Sequence, residues 1–280
     1  MRIIAFISAR NEAETLPKVL ESMINQTVPF TDIIVVNDAS DDETGEIAES
    51  YGCTVINLSE KHPSYVGRPE LATIYNSVFD YLDSEEIEYD YLMQHGADTI
   101  LPEHYVEQML KRMESRKDLV IASGTIKGEP VYKTHARGAG RFIKGWFWRR
   151  YVKRYPVTYM WESYPIYKAF SLGYTVTSFP DLVMETLRPT KCYKPFYGAA
   201  MREMGYLPIY ALARCFLAFM EDKRVGVDML KTYLFSSYGC YDPEIKRAIR
   251  RYQANQILRF FRRPKEILLR MRGWKSRWSQ

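Results

Sequence analysis

The sequence predicts an α/β fold, with a mostly parallel central sheet flanked by helices in a Rossmann-like arrangement and a helical extension at the C-terminus. Three observations predict it. Short β-branched or apolar runs alternate with segments of helical periodicity through the first two-thirds of the chain, as a βαβ series requires. Several of these runs end abruptly in clusters of acids, hydroxyls and amides. The final stretch then changes character, with a 14-residue apolar run at 207–220 followed by a strongly basic end.

Each element follows from its local pattern. Arg2–Ile7 is an apolar strand that gives way to Ser8, Arg10, Asn11 and Glu12, after which Leu16, Val19, Leu20 and Met23 recur at helical spacing. Ile33–Val36 is a second strand and discharges into Asn37, Asp38, Ser40, Asp41 and Asp42. A helix over 41–51 leads to a third strand at Cys53–Leu58, then to a helix over 70–83 and a fourth strand at Tyr89–Met93. Residues 103–115 and 118–126 add a helix and a strand, and Val176–Leu182 reads as a further strand. Continuous Val/Ile runs are the mark of parallel strands buried on both faces, and ligands bind beyond the carboxyl ends of such strands. Right-handed crossovers place the polar turns at 8–12, 37–42 and 94–99 along one edge. No internal repeat or low-complexity linker interrupts the series.

Composition narrows the class. A chain of 280 residues with 46% apolar and 26% charged residues is neither disordered nor an ordinary membrane protein. Met1-Arg2 leads directly into the first strand without the order of a secretory signal, so the mature protein is expected to begin at or near Met1. Cys53, Cys192, Cys215 and Cys240 lack CxxC spacing and read as reduced structural thiols, implying a cytosolic compartment. Residues 244–280 hold 12 Lys/Arg against 2 acids, whereas residues 1–243 hold 27 against 32. The asymmetry points to an acidic partner for the tail, a membrane surface or a nucleic acid. No recognition motif accompanies the basic residues, and the acidic remainder argues against nucleic acid.

Several side chains are candidates for chemistry on their own terms. Asp38, an acceptor-only carboxylate at a strand end, can take the imide hydrogen of uracil or thymine, with Ser8 and Arg10 flanking the base. Asp41 and Asp42 suit the start of their helix. Arg68, in Gly67-Arg68-Pro69, can fork onto phosphate oxygens or can be a solvated surface Arg. Asp98, in the turn Gln94–Pro102, can hold a divalent cation or cap the following helix. His95 reads as a packed or solvated turn residue. Past residue 127, glycines alternate with Trp146, Trp148 and Tyr151 among Arg137, Arg141, Lys144, Arg149 and Arg150; these suit a sugar or an acceptor phosphate, or an ordinary surface connection.

In combination the motifs go further. Asn11-Glu12, Ser22, Gln26-Thr27 and Val36–Thr44 together resemble the opening block of glycosyltransferase family 2, the nucleotide-sugar-dependent enzymes of the GT-A fold. The resemblance covers roughly residues 1–190 and, more loosely, Gly198–Tyr210 and the Gln253 region. It implies a donor site of Ser8, Arg10, Asp38, Arg68, Asp98 and Arg188, a divalent cation (Mg²⁺ or Mn²⁺) at Asp98, and an acid that deprotonates the acceptor in the block Met160–Tyr174. That acid is Glu162, where family members commonly have Asp. There are other departures. Asn37 and Gly96 each stand where the family has an acid, and Glu185 stands where many relatives have His. Glu185 then partly replaces the carboxylate missing at Gly96 in an all-oxygen cation site, or the two departures together weaken metal dependence.

The expectation is thus an inverting glycosyltransferase, with a GT-A domain at 1–195 and a helical basic extension at 196–280. The acceptor would be a glycan or a lipid-linked molecule, in polysaccharide, glycan or glycolipid assembly on the cytoplasmic face of the membrane. A non-catalytic nucleotide-sugar-binding module is the alternative. The run at 207–220 is too short for a span of roughly 20 residues and suits a buried or interfacial helix. Ile245, Ala248, Ile249, Tyr252, Ile257, Phe260 and Phe261 amid basic residues suit a helix lying on anionic lipid, and a helical subdomain with a solvated basic face suits them as well.

Overall fold

The computed structural model describes every residue except 130, 132, 133, 189–195, 237–240 and 263–280, and side chains through residue 258. The chain divides into two compact units, Met1–Val157 with Trp161–Lys191, and Thr158–Met160 with Cys192–Gln280.

The first unit is built on eight strands: β1 (Ile3–Ala9), β2 (Asp32–Asp38), β3 (Thr54–Leu58), β4 (Tyr91–Gly96), β5 (Thr99–Ile100), β6 (Leu119–Ile126), β7 (Arg141–Lys144) and β8 (Thr175–Thr186). Their order is β3-β2-β1-β4-β7-β6-β8-β5. The pairs β1–β2, β1–β4, β2–β3 and β6–β8 are parallel, while β7 is antiparallel to both β4 and β6. Helices α1 (Leu16–Ile24), α2 (Thr44–Ser50), α3 (Leu71–Ser84), α4 (Tyr105–Glu114), the short α5 (Gly145–Phe147) and α6 (Tyr164–Ser171) complete the unit.

Strand periodicity explains the layers. Alternate residues of a strand point to opposite faces, and in β1 Ile3, Ala5 and Ile7 enter one core while Ile4 and Phe6 enter another. The first core is closed by Leu16, Val19, Leu20 and Met23 of α1 and by Tyr105, Val106, Met109 and Met113 of α4. The second is closed by Tyr75, Val78 and Phe79 of α3 together with Phe147, Trp148, Tyr155 and Trp161. The sheet is buried on both faces, which is why its strands read as apolar runs without a polar alternation.

Two strands are absent from the sequence reading. Arg141–Lys144 carries charges at both ends, yet all four residues are buried, because Arg141 and Lys144 spend their polar heads on backbone carbonyls. The other, Thr99–Ile100, is only two residues long and pairs with the far end of β8.

The second unit contains α7 (Tyr197–Glu203), α8 (Pro208–Glu221), α9 (Lys223–Phe235) and α10 (Pro243–Arg262). Asp222 caps α9 by accepting from the Arg224 and Val225 amides. Ile245 and Ile249 of α10 are fully buried, Gln253 accepts from the Leu207 amide at 2.8 Å, and Arg250 donates to the Gly205 carbonyl at 2.8 Å. These two isoleucines are packing residues, as the helical-subdomain reading has them and the lipid-facing one does not. Buried Glu203 accepts from the Tyr159 amide at 2.7 Å, and its other oxygen has no partner among the described residues; burial pushes its pKa up to about 7.

Cys53 and Cys215 are free thiols, and burial raises both, Cys53 to about 11, as inert structural cysteines require. Cys192, Cys240, Pro189, Thr190 and the basic segment from Arg263 onward lie outside the described residues, as do the side chains of Arg259, Phe260, Phe261 and Arg262.

Candidate active site

Three parallel strands bring their polar ends together. Ser8 at the end of β1 is in register with Val36 of β2 on one side and with Gly96 of β4 on the other. The turns that follow β1 and β2 are tied to each other. The Asn11 amide donates to Ser40 Oγ at 3.1 Å, the Asp41 amide to Asn11 Oδ1 at 2.8 Å, and the Glu12 amide to Thr44 Oγ1 at 2.8 Å. Asn11 and Ala39 take positive φ values of 55° and 50°, conformations that the interlocking bonds hold in place. Asp42 accepts from Thr44 and from the Ala13 amide; burial opposes its ionisation, but these hydrogen bonds outweigh it and hold the carboxyl below its usual range. Asp41 pairs with Lys61. Asn37, the first departure, donates its amide to Asn57 Oδ1 on β3 at 2.8 Å and so serves the sheet.

Asp38 is 4% exposed at the end of β2. Its Oδ1 receives a 2.8 Å hydrogen bond from His62 Nε2, and Arg10 Nη1 lies 4.0 Å from its Oδ2. Arg10 is held in turn by His62, through Nδ1 at 3.1 Å and the carbonyl at 2.6 Å. The structure thus brings Arg10 and Asp38 together through a residue the sequence reading did not single out. His62-Pro63 in a polar loop after β3 was the available signal. Arg68 is exposed near the end of the same loop, its amide bonded to the Tyr65 carbonyl at 2.8 Å.

The turn after β4 presents Asp98 with its side chain one-third exposed. Arg188 Nε lies 3.6 Å from Asp98 Oδ2, and Arg188 Nη2 donates to Glu12 Oε1 at 2.5 Å. The hydrogen bond to Glu12 raises the guanidinium pKa further, with Asp98 contributing. Glu12 is the second member of the site that periodicity alone did not flag. Glu185 is not joined to Asp98: it is in register with Ile100 of β5, and its exposed side chain forms an ion pair with Lys127 at 2.6 Å. Its neighbour Thr186 turns the other way, its hydroxyl 3.4 Å from the Asp98 carbonyl. Gly96 has a local reason, since a Cβ there would stand 3.1 Å from Asp98 Oδ1 and crowd it. Buried His95 accepts the Gly140 amide at Nδ1 (3.0 Å) and meets the Thr99 carbonyl with Nε2 (2.8 Å); burial lowers its pKa to about 4, so the ring is neutral and fastens the turn.

Glu162 lies in the single helical turn Trp161–Ser163 just ahead of α6, so it is not in the first turn of that helix. Gln94 of β4, four residues before Asp98, donates to Glu162 Oε1 at 2.9 Å. Gln94 is fixed at its other end by Tyr155 Oη, 2.6 Å from Oε1. Arg141 Nη1 donates to the Glu162 carbonyl at 2.8 Å. Gly138 comes so close that a Cβ there would lie 2.8 Å from Glu162 Oε1, and a larger residue would displace the carboxylate from this position. The phenols of Tyr75 and Tyr155 are raised far above their ordinary range, first by burial and also by the Glu162 charge.

In the basic and aromatic stretch after residue 127, Arg141, Lys144 and Trp148 are buried, whereas Trp146, Arg149 and Arg150 are exposed. Arg141 is 1% exposed and spends its guanidinium on the carbonyls of Ala136, Arg137 and Glu162. Lys144 donates to the Arg116 carbonyl, Arg137 pairs with Glu129, and Trp148 is fully buried against Phe79. Arg141, Lys144 and Trp148 are thus packing residues rather than acceptor contacts, and Arg137 is held in its ion pair.

Residues 4–173 match the family described as Glycosyl transferase family 2, and the chain belongs to that family. A 52-residue segment is 50% identical to 4,4'-diaponeurosporenoate glycosyltransferase of Staphylococcus aureus, covering 19% of this chain and 14% of that protein. Among solved structures, the mannosyltransferase PcManGT from Pyrobaculum calidifontis, in complex with GDP-Man and Mn²⁺, is 13% identical with a TM-score of 0.58, covering 99% of this chain and 85% of that one. S. aureus TarS 1–349 in complex with UDP-GlcNAc is 13% identical with a TM-score of 0.55, covering 84% and 72%. The fold is GT-A, as the motifs implied.

Proposed function

We propose that this protein is an inverting glycosyltransferase that moves a sugar from a nucleoside-diphosphate sugar to a glycan or lipid-linked acceptor. The observation that carries the reading is the Gln94–Glu162 hydrogen bond: it holds an acid suited to activating an acceptor beside the strand whose end presents Asp98. In this reading Asp38, Ser8 and Arg10 hold the base, and Arg188 and Arg68 face the diphosphate. Glu162 takes the acceptor's hydroxyl proton as that oxygen bonds to the anomeric carbon, and the anomeric carbon–oxygen bond to the diphosphate breaks on the opposite face, the diphosphate leaving with the electron pair.

The residues fit a divalent cation. Mg²⁺ is commonly held by one or two carboxylates together with substrate phosphates, and Asp98 offers a partly exposed carboxylate at the strand end. Among the described residues no three His, Cys, Asp or Glu side chains gather into a complete cage, so the donor's oxygens would share the coordination. Glu185 would join by exchanging Lys127 for the cation. A divalent cation held by Asp98 would supply positive charge to the diphosphate as it departs.

A thermal-shift panel of nucleotide sugars, with and without Mn²⁺, tests the donor assignment. A ligand at 100 times its dissociation constant stabilises by about 2.7 kcal/mol, and the matching donor should then release nucleoside diphosphate when acceptor is supplied. Binding without any release, across a range of acceptors, would leave a non-catalytic binding module.

The second unit supports a peripheral membrane setting on the inner face of the cell membrane. Ile209, Leu212, Phe216, Phe219 and Met220 recur three and four residues apart along α8, and all are exposed, Phe216 by 62% and Met220 by 66%. Solvent-facing apolar rows of this size mark interaction surfaces. The basic residues of α10 and the basic composition beyond it select anionic lipid as the occupant. No helix among the described residues is long and apolar enough to cross a membrane. The protein should sediment with vesicles containing phosphatidylglycerol, much less with pure phosphatidylcholine, and dissociate at high salt. Phe216→Glu should abolish sedimentation with circular dichroism unchanged. Equal recovery in the supernatant with both vesicle types at low salt would remove the membrane from the proposal.

A further inference from the structure

Asp38 and Arg10 are two of the side chains assigned to the donor, and one residue touches both. The His62 ring donates from Nε2 to Asp38 Oδ1 at 2.8 Å and stands 3.1 Å from Arg10 Nη1 through Nδ1. Its backbone carbonyl takes a second hydrogen bond from Arg10 Nη2 at 2.6 Å. With a proton on Nε2 the ring donates to Asp38, and Nδ1 can then accept from Arg10. The Pro63 carbonyl, 2.8 Å from Nδ1, is the acceptor that nitrogen would use if protonated. The ring is held by more than these bonds. It stacks on Tyr65 with centroids 3.7 Å apart and planes 5° from parallel, and its side chain is 7% exposed.

The consequence lies in what is left over. Asp38 Oδ1 is committed to His62, whereas Oδ2 accepts no hydrogen bond among the described residues. Arg10 Nη1, 4.0 Å from Oδ2, is beyond hydrogen-bond distance yet beside it. The site therefore presents one acceptor next to one donor, both fixed by the same imidazole.

We propose that His62 is the positioning residue that sets nucleobase selection, by turning Asp38 Oδ2 and Arg10 into an acceptor–donor pair that reads a ring N–H flanked by a carbonyl. Uracil, thymine and guanine carry that edge. Cytosine and adenine present a ring acceptor beside an amino group, which sets acceptor against acceptor and donor against donor. The inference rests on the reading of Asp38 as the residue that meets the base.

Calorimetry of the full-length protein with UDP, GDP, CDP and ADP tests it. The wild type should bind UDP or GDP about tenfold or more tighter than CDP and ADP, as expected where a buried polar group is left unpaired by the wrong edge. His62→Phe keeps the stack on Tyr65 but removes both ring hydrogen bonds, and it should bring that ratio close to one. His62→Gln, whose amide can donate to Asp38, should recover part of it. A His62→Phe protein that is folded by circular dichroism and retains the wild-type ratio overturns the positioning role. Asp38→Asn separates this from the underlying reading: if it leaves the ratio unchanged, Asp38 does not meet the base and the donor assignment itself falls. If Asp38→Asn abolishes the ratio while His62→Phe preserves it, only the role of His62 is lost.

Discussion

Glu162→Gln should lower turnover by about 10²-fold or more, the loss expected when a general base is removed, while donor affinity stays near that of the wild type. The substitution is close to isosteric. Its side-chain oxygen can still accept from Gln94 Nε2, the contact made by Glu162 at 2.9 Å, and the space beside Gly138 still fits. What disappears is the second carboxylate oxygen as a proton acceptor. The fold should not respond, because the carbonyl of residue 162 keeps its bond from Arg141 and Trp161 stays in the core. The measurement is single-turnover transfer with saturating donor, beside calorimetric donor binding. Glu162→Asp retains the charge but draws it back by one methylene, so it should fall between wild type and Gln. Full turnover in Glu162→Gln would move the base to another residue.

How much of this was legible in the sequence depends on what each feature rests on. The buried strands were readable, because sites covered on both faces demand continuous apolar residues, and Ile3–Ile7 and Ile33–Val36 supply them. The rim was readable for the same reason, since polar residues that end such runs have no other place to go. Strand β7 was not readable: Arg141 and Lys144 look like surface charges until the carbonyls that receive them are known. Spacing could not show the residues that hold others in place. Gln94, His62 and Glu12 are 68, 24 and 176 positions from their partners Glu162, Asp38 and Arg188, and no periodicity links residues across such distances. In the second unit, the apolar run at 207–220 was visible, but which side it turns to solvent depends on α7, α9 and α10. Composition left α10 open between a lipid-facing helix and a packed one; Ile245 and Ile249 are buried, and the exposed apolar row belongs to α8.

Asp98→Ala should abolish metal-dependent donor binding, because it removes the one carboxylate that the turn after β4 presents beside Arg188. The alanine also leaves Arg188 with Glu12 as its carboxylate partner among the described residues, so metal-independent binding of the nucleoside diphosphate should persist in part through the guanidinium. That residue of binding distinguishes a lost ligand from a collapsed site. Glu185 makes a subtler case. Its carboxylate is engaged by Lys127, but both side chains are largely exposed, and an exposed pair of this kind adds little to stability. Exchanging the lysine for a divalent cation would therefore cost little. If that exchange occurs, Glu185→Ala should raise the metal concentration needed for half-maximal activity by about tenfold, on the order of what loss of a supporting group does to metal affinity, and Lys127→Ala should lower it. If Glu185 stays with Lys127, both variants should match the wild type and Asp98 would act with the diphosphate alone. A wild-type enzyme whose activity is indifferent to EDTA would sink the cation site altogether, and the neutralising charge on the leaving diphosphate would then fall to Arg188 and Arg68.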